Sequence, residues 1–293
     1  MHDQADNLRA VASGHVILSK REVKSHQGCR VIAVTGGKGG VGKTNVAVNL
    51  SLALAEGGAR VLLVDGDLGL ANVDLMLGLS PQYTLEHVFA QQVELKDAVV
   101  EGPLGIKVLP GAIGLTELAN LNPLDIVRLL GLLRNLEHEH DLLIIDTAAG
   151  IGQVVTHMAL AADDVIIVTT PEPPAMVDAY GTMKALKQGR LHGNLHLLMN
   201  MVRHRGEDKQ MYRSLAEVAL NYLGLRLSWL GSLPRDEEII NAIKRHRAFY
   251  IEHPNSVAAL ELKRIAGQIL SVLDIKRQPK AEGYFSRLLS SLR

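Results

Sequence analysis

Residues 37–44 read Gly-Lys-Gly-Gly-Val-Gly-Lys-Thr, and no other segment restricts the fold so tightly. Glycines at this spacing let successive backbone N–H groups curl around a phosphate chain. The lysine after them neutralises the β and γ phosphates, and the next hydroxyl is a ligand for Mg²⁺. The flanks fit that reading. Residues 31–35 (Val-Ile-Ala-Val-Thr) are a short β-branched run, and residues 45–56 are a nearly all-apolar helical stretch ending at Gly57 and Gly58. Strand, loop and helix in this order make a nucleotide-binding unit of Gly37, Lys38, Gly39, Gly40, Val41, Gly42, Lys43 and Thr44, with Asn45 opening the helix. Lys38 is one lysine more than the ordinary pattern requires; at the start of the loop its side chain is expected to point outward, toward another subunit.

Further apolar runs occur at residues 61–64, 142–145, 165–168 and 195–199, with helical stretches between most of them. Continuous runs of this kind are strands buried on both faces. Their alternation with helices predicts an α/β fold, a doubly wound, mostly parallel sheet with helices on both faces and ligands at the carboxyl ends of the strands. The motifs obey that rule. Thr35 leads into the phosphate loop, Val64 into Asp65-Gly66-Asp67, Ile145 into Asp146, and Thr170 into Pro171-Glu172. An aspartate ending an apolar strand sets a carboxylate beside the loop's Mg²⁺, which suits Asp146. Asp65 and Asp67, two apart, lie on one side of a second strand, one facing the metal's waters and the other the attacking water.

The run from Lys38 to Thr44 resembles the deviant phosphate loop of the MinD, ParA and nitrogenase iron-protein family. The resemblance implies a Mg²⁺-dependent ATPase that hydrolyses ATP to ADP and phosphate. Its signature lysine, here Lys38, would reach across an ATP-sandwiched homodimer. By the same resemblance Lys38, Lys43 and Asp67 carry catalysis, Asp67 orienting the water, while Thr44, Asp65 and Asp146 serve the metal. Residues 65–74 look like the first switch segment and residues 146–150 like the second. Gly66 stands where the family commonly has a larger residue, which predicts a looser switch. Adenine contacts are expected from Asn200, after the run 195–199, and from Pro234, Arg235 and Asp236, after the run 227–231. Glu172 is expected near a ribose, and Asp178 beside Lys38.

Missing features prune the family. Iron–sulfur relatives need paired cysteines, and this chain has only Cys29. Tyrosine-kinase relatives carry a tyrosine cluster where this tail has Tyr284 alone. ParA-type DNA binding uses clustered cations, and a chain with 31 Lys plus Arg against 31 Asp plus Glu argues against direct nucleic-acid binding. The lone cysteine, the lack of a secretory signal and the lack of an apolar run near ~18 residues predict a cytoplasmic protein, at most peripheral on the inner face of the membrane. The dense group His138-Glu139-His140-Asp141 fits a polar turn rather than a metal centre.

Two arms flank the predicted ATPase domain of residues 29–275. In the arm of residues 1–28, Asp3, Gln4, Ala5, Leu8 and Arg9 match the D-Q-A-x-x-L-R helix of the FlhG (FleN) subfamily, which implies binding to the GTPase FlhF. In the tail of residues 276–293, Phe285, Leu288, Leu289 and Leu292 occupy i, i+3, i+4 and i+7 beside Lys280, Arg287 and Arg293. That is a small amphipathic helix. Its burial in lipid would yield ~6 kcal/mol at best, so two copies on a dimer should hold an anionic membrane far better than one. Packing against its own domain is the competing use of the same face. The subfamily resemblance implies a switch ATPase that sets flagellar number and placement through FlhF, a FleQ/FlrA-type transcription activator and flagellar C-ring proteins, at the membrane and the cell pole when ATP-bound. A MinD-type division-site regulator and a ParA-type cargo-positioning ATPase are the alternatives.

Overall fold

The computed structural model describes residues 28–67, 72–84, 87–88, 92–111, 134–204, 206–275 and 283–292. The FlhF-type residues Asp3, Gln4, Ala5, Leu8 and Arg9 lie outside them, as do residues 68–71 of the first switch segment.

The chain begins with β1 (Arg30–Thr35), the phosphate loop and α1 (Lys43–Glu56), followed by β2 (Val61–Gly66) and the short α2 (Val73–Leu77). Next come α3 (Leu95–Ala98), β3 (Val100–Glu101), β4 (Lys107–Leu109) and β5 (Leu142–Thr147). The second half runs α4 (Gln153–Ala161), β6 (Asp164–Thr169), α5 (Pro173–Gln188), β7 (Asn194–Val202), α6 (Glu207–Val218) and β8 (Leu227–Pro234). It closes with α7 (Glu237–Lys244), α8 (Phe249–Glu252), α9 (Val257–Ile275) and α10 (Tyr284–Leu292).

The strands form a sheet in the order β3-β4-β2-β5-β1-β6-β7-β8. Every pairing is parallel except β3 with β4. All the apolar runs read as strands occupy this sheet, and β1 sits at its centre because its residues are apolar on both faces. Ile32 and Val34 join the core with α1 and α9, whereas Val31 and Ala33 join the core with α4 and α5. Helix α1 is buried almost end to end, so its polar side chains need partners. Asn49 donates to the Asn45 carbonyl at 2.7 Å and accepts from the Tyr250 N–H at 2.9 Å.

The N-terminal ends of the strands are locked by charge. Asp164 accepts from Arg30, from Asn194 Nδ2 at 3.0 Å, and sits 3.0 Å from His196 Nε2. Burial opposes ionisation there, but these partners prevail and hold the Asp164 carboxyl well below the usual carboxylate range.

The tail differs from its lipid-facing expectation. Tyr284, Phe285 and Leu288 are 2%, 6% and 6% exposed, packed on α4 in the core of this face. The dock is polar as well as apolar. Arg287 donates to the Ala161 carbonyl at 2.8 Å and to Asp163 at 3.1 Å, and the Phe285 N–H donates to Glu137 at 2.9 Å. In this arrangement Phe285 and Leu288 are unavailable to a membrane; the side chains of Leu289 and Leu292 lie outside the described set. The sequence pattern defines an apolar face but not its partner, and here the partner is α4.

Candidate nucleotide site

The glycines of the phosphate loop meet backbone demands that side chains satisfy only under strain. Gly40 and Gly42 have φ of 80° and 92°, in the left-handed region. Gly37 lies so close to the Asp178 backbone that a Cβ there would overlap it. Lys38 therefore emerges beside α5, exposed, and makes no ion pair with Asp178 or any other described residue. Lys43 is buried at 8% exposure. Burial lowers its pKa, and the charges of Asp146 and Asp67 oppose that drop.

Asp146 and Asp67 act on this lysine, and Asp65 acts on both of them. Asp146 is 1% exposed, accepts a hydrogen bond from Thr44, and has one oxygen, Oδ1, without a partner among the described residues. Burial pushes its carboxyl up to about 7, with Asp65 and Asp67 adding to the rise. Asp65, next to last in β2, lies one strand away, directly opposite Asp146 in the pairing. Its Oδ1 accepts from the Asp67 N–H at 3.0 Å, and its Oδ2 from the N–H groups of Asn72 at 3.2 Å and Val73 at 3.4 Å. Burial raises it to about 6 despite those bonds. Asp65 thus clasps both ends of the loop that follows β2, and Asp67 is left half-buried nearer the lysine. Gly66 is not a loose point: a Cβ there would lie 2.7 Å from the Asp146 carbonyl oxygen and 3.1 Å from Met158 Sδ, so any larger residue must displace β5 or α4.

The segment after β5 is tied to the phosphate loop. The Gly150 N–H donates to the Gly36 carbonyl at 3.2 Å, and the Thr147 hydroxyl donates to the Val34 carbonyl at 3.1 Å. The exposed side chains of Ile151 (57%) and Val177 (69%) follow from Gly150 and adjoin Asp178, so both flank the loop.

The residues expected to read adenine fall on adjacent strand ends. Val202 of β7 pairs with Pro234 of β8, and the Arg235 N–H donates to the Val202 carbonyl at 2.9 Å. Asn200 is buried and reaches the loop itself: Nδ2 donates to the Val41 carbonyl at 2.9 Å while Oδ1 accepts from the Met201 N–H at 2.9 Å. Met201 takes a left-handed φ of 58°, where β7 and β8 lose register. Asp236 caps α7 by accepting from the Glu238 N–H at 2.8 Å, and Glu172 is an exposed residue at the start of α5.

Some site features escape sequence reasoning. Thr35, the last residue of β1, and Thr170, the first after β6, have buried hydroxyls that lack a hydrogen-bond partner among the described residues. Their only sequence signal is a β-branched hydroxyl residue at a strand end before glycine or proline. The strain at Met201 leaves no sequence trace. The group His138–Asp141 is not wholly a turn: His138 and Glu139 end a helical stretch over residues 134–139, and His140 and Asp141 lead from it into β5, with Asp141 bonded to Arg60 and His140 to the Leu136 carbonyl.

Nucleotide and Mg²⁺ fit these residues: a glycine cradle, a buried lysine, and a buried carboxylate oxygen on Asp146 whose only unmet need is a donor or cation. Comparison with known proteins agrees. Residues 29–197 match the family model described as "AAA domain". The antiactivator FleN of Pseudomonas aeruginosa is 40% identical over 85% of this chain and 89% of its own length. The flagellum site-determining protein YlxH of Helicobacter pylori is 32% identical over 90% of each. Among solved structures, the septum site-determining protein MinD of Pyrococcus horikoshii, complexed with Mg-ADP, superposes with a TM-score of 0.67 at 27% identity, covering 86% of this chain and all of that one. With its deviant phosphate loop, eight-stranded sheet and these relatives, the chain belongs to the MinD/ParA family of nucleotide-binding P-loop ATPases.

Proposed function

We propose that this protein is an ATP-driven dimerising switch that regulates flagellar number and placement, resetting itself by hydrolysis. The observation that carries the switch is Lys38: exposed, without an ion pair among the described residues, on a loop bordered by segments that carry the exposed apolar side chains of Ile151 and Val177. A loop lysine so placed serves its own phosphates poorly and a second copy's well. Bound Mg²⁺ would sit with Thr44 and Asp146 and neutralise charge on the β and γ phosphates. Lys43 and the loop N–H groups hold the phosphate chain. Asp67 positions and deprotonates water, while Asp65 holds the ends of the Asp67 loop.

The flagellar reading draws on the likeness to FleN and YlxH and on the Asp3–Arg9 match. FlhF, a FleQ/FlrA-type activator and C-ring proteins are the partners that reading supplies. The likeness to MinD favours a second reading, division-site placement.

Membrane attachment enters through α10. Two residues separate residues 146–150 from its dock, α4, so closing that segment on nucleotide would disturb the seat of Tyr284 and Phe285 and free the tail for an anionic surface. Among the described residues no helix is long and apolar enough to cross a membrane.

The test combines light scattering and phosphate release. With ATP the parent should dimerise and turn over, Asp67→Ala should stay dimeric without turnover, and Lys38→Ala should do neither. Parent-like behaviour by both variants would overturn the switch. Flagella counted per cell in the source organism after deletion, and after restoration with Asp67→Ala, separate the flagellar from the division reading.

A further inference from the structure

At the end of the sheet away from the phosphate loop, a groove of about 690 Å³ opens beneath β2 and β4. Its floor is apolar, built from Val61, Val88, Leu95 and Leu136, with half-buried Val93 and Val99 at its mouth. The rim cations are already engaged: Arg60 with Asp141, Lys96 with Glu94, and Lys107 with Glu101. Glu139, exposed on the same rim, has no ion pair among the described residues. Such a groove suits an apolar segment followed by positive charge, and does not suit an anionic ligand.

The chain's own start meets that description. The described chain begins at Gly28, and Cys29 packs in the same cluster as Val88, Leu95 and Leu136. The Arg30 N–H bonds to the Asp141 carbonyl, and Arg60 grips the Asp141 carboxylate, so the preceding residues leave the domain at the groove's edge. Upstream, Val16-Ile17-Leu18 is the arm's run of three branched aliphatic side chains, followed by Lys20, Arg21 and Lys24. Nine residues separate Leu18 from the domain edge at Gly28, a tether of ten Cα steps that reaches ~33 Å when extended. That spans the groove and leaves slack. A tethered segment also competes at high effective concentration against any free partner.

We infer that this groove is the seat of Val16-Ile17-Leu18 from the same chain, with the cations after it lying along Glu139. The arm so held would bring residues 3–9 back to the end of the domain opposite the nucleotide. The dock leaves the phosphate loop untouched and does not depend on the flagellar reading.

Amide hydrogen exchange of the full chain tests this. The arm variant V16S/I17D/L18S should speed exchange about five-fold or more at residues 93–99 and 134–140, leaving β1 and α1 unchanged. The groove-mouth variant V93E should reproduce that change from the other side while exchange in β1 and α1 stays at the parental level. Unchanged exchange in the arm variant overturns the proposal. Protection that fades on dilution of the parent also overturns it, because the occupant would then be a second copy.

Discussion

Replacing the Asp146 carboxyl with an amide, in Asp146→Asn, should stabilise the nucleotide-free protein at neutral and alkaline pH while abolishing its function. The carboxyl is 1% exposed, and burial raises its pKa to about 7, against an ordinary value near 3.8. A group whose folded pKa exceeds its unfolded one contributes stability that is complete below about pH 4 and is lost as pH rises through about 7. At 1.36 kcal/mol per pH unit per proton, the ionised carboxylate costs the free protein about 4 kcal/mol by pH 8. The amide would keep the shape and lose the titration. Urea unfolding in chelator should therefore find Asp146→Asn close to the parent at pH 4 and about 2–4 kcal/mol more stable at pH 8, allowing for the imperfect hydrogen bond to Thr44. Asp65, pushed up to about 6 by burial, leaves a smaller slope of the same sign in both proteins. Asp164 does not interfere, because its depressed pKa keeps its contribution constant above pH 5. Binding of Mg²⁺ and ATP should release most of a proton more from the parent at pH 6.5 than from Asp146→Asn, read from the dependence of binding enthalpy on buffer ionisation. If Asp146→Asn is no more stable than the parent at pH 8, burial of an uncompensated carboxylate is the wrong account of this site.

Three further perturbations probe the frame. Gly66→Val drives a side chain into the Asp146 carbonyl and should cost about 2 kcal/mol or more, with slower phosphate release; an unchanged melting temperature would contradict the close packing. Tyr284→Ala removes a fully buried ring from the tail dock and should cost that dock about 3–5 kcal/mol. Trypsin should then cut at Arg287 faster and vesicles of anionic lipid should bind more protein without ATP, whereas parental cleavage would mean α10 is held by something else. Asp164→Ala strands Arg30 half-buried and should destabilise by about 3 kcal/mol at pH 7. That deficit should shrink as pH falls below about 4 toward the low folded pKa of Asp164, and a pH-independent difference would refute the charge-lock reading.

Apolar runs bounded by glycine, aspartate and proline identified β1, β2, β5, β6, β7 and β8, because a parallel strand covered on both faces has no polar register to hide it. The short antiparallel β3–β4 edge went unread: two and three residues carry too little periodicity to distinguish strand from loop. At the site, local motifs carried the phosphate loop, since its backbone dihedrals depend on residues adjacent in sequence. Gly66 shows the opposite. Its neighbours in the chain suggest freedom, yet Asp146 and Met158, some 80 and 92 residues on, remove it.

What the sequence determines here is chemistry set by spacing: which residues can wrap a phosphate, which strand ends carry carboxylates, and which face of the tail is apolar. What the tertiary structure decides is partnership. Asp65 binds the backbone of the loop it begins, Asn200 anchors Val41 from 159 positions away, and Tyr284 and Phe285 bury against α4 instead of facing outward. An amphipathic face or a buried carboxylate needs something to meet. Long-range packing supplies that partner, and chain-local pattern does not contain it.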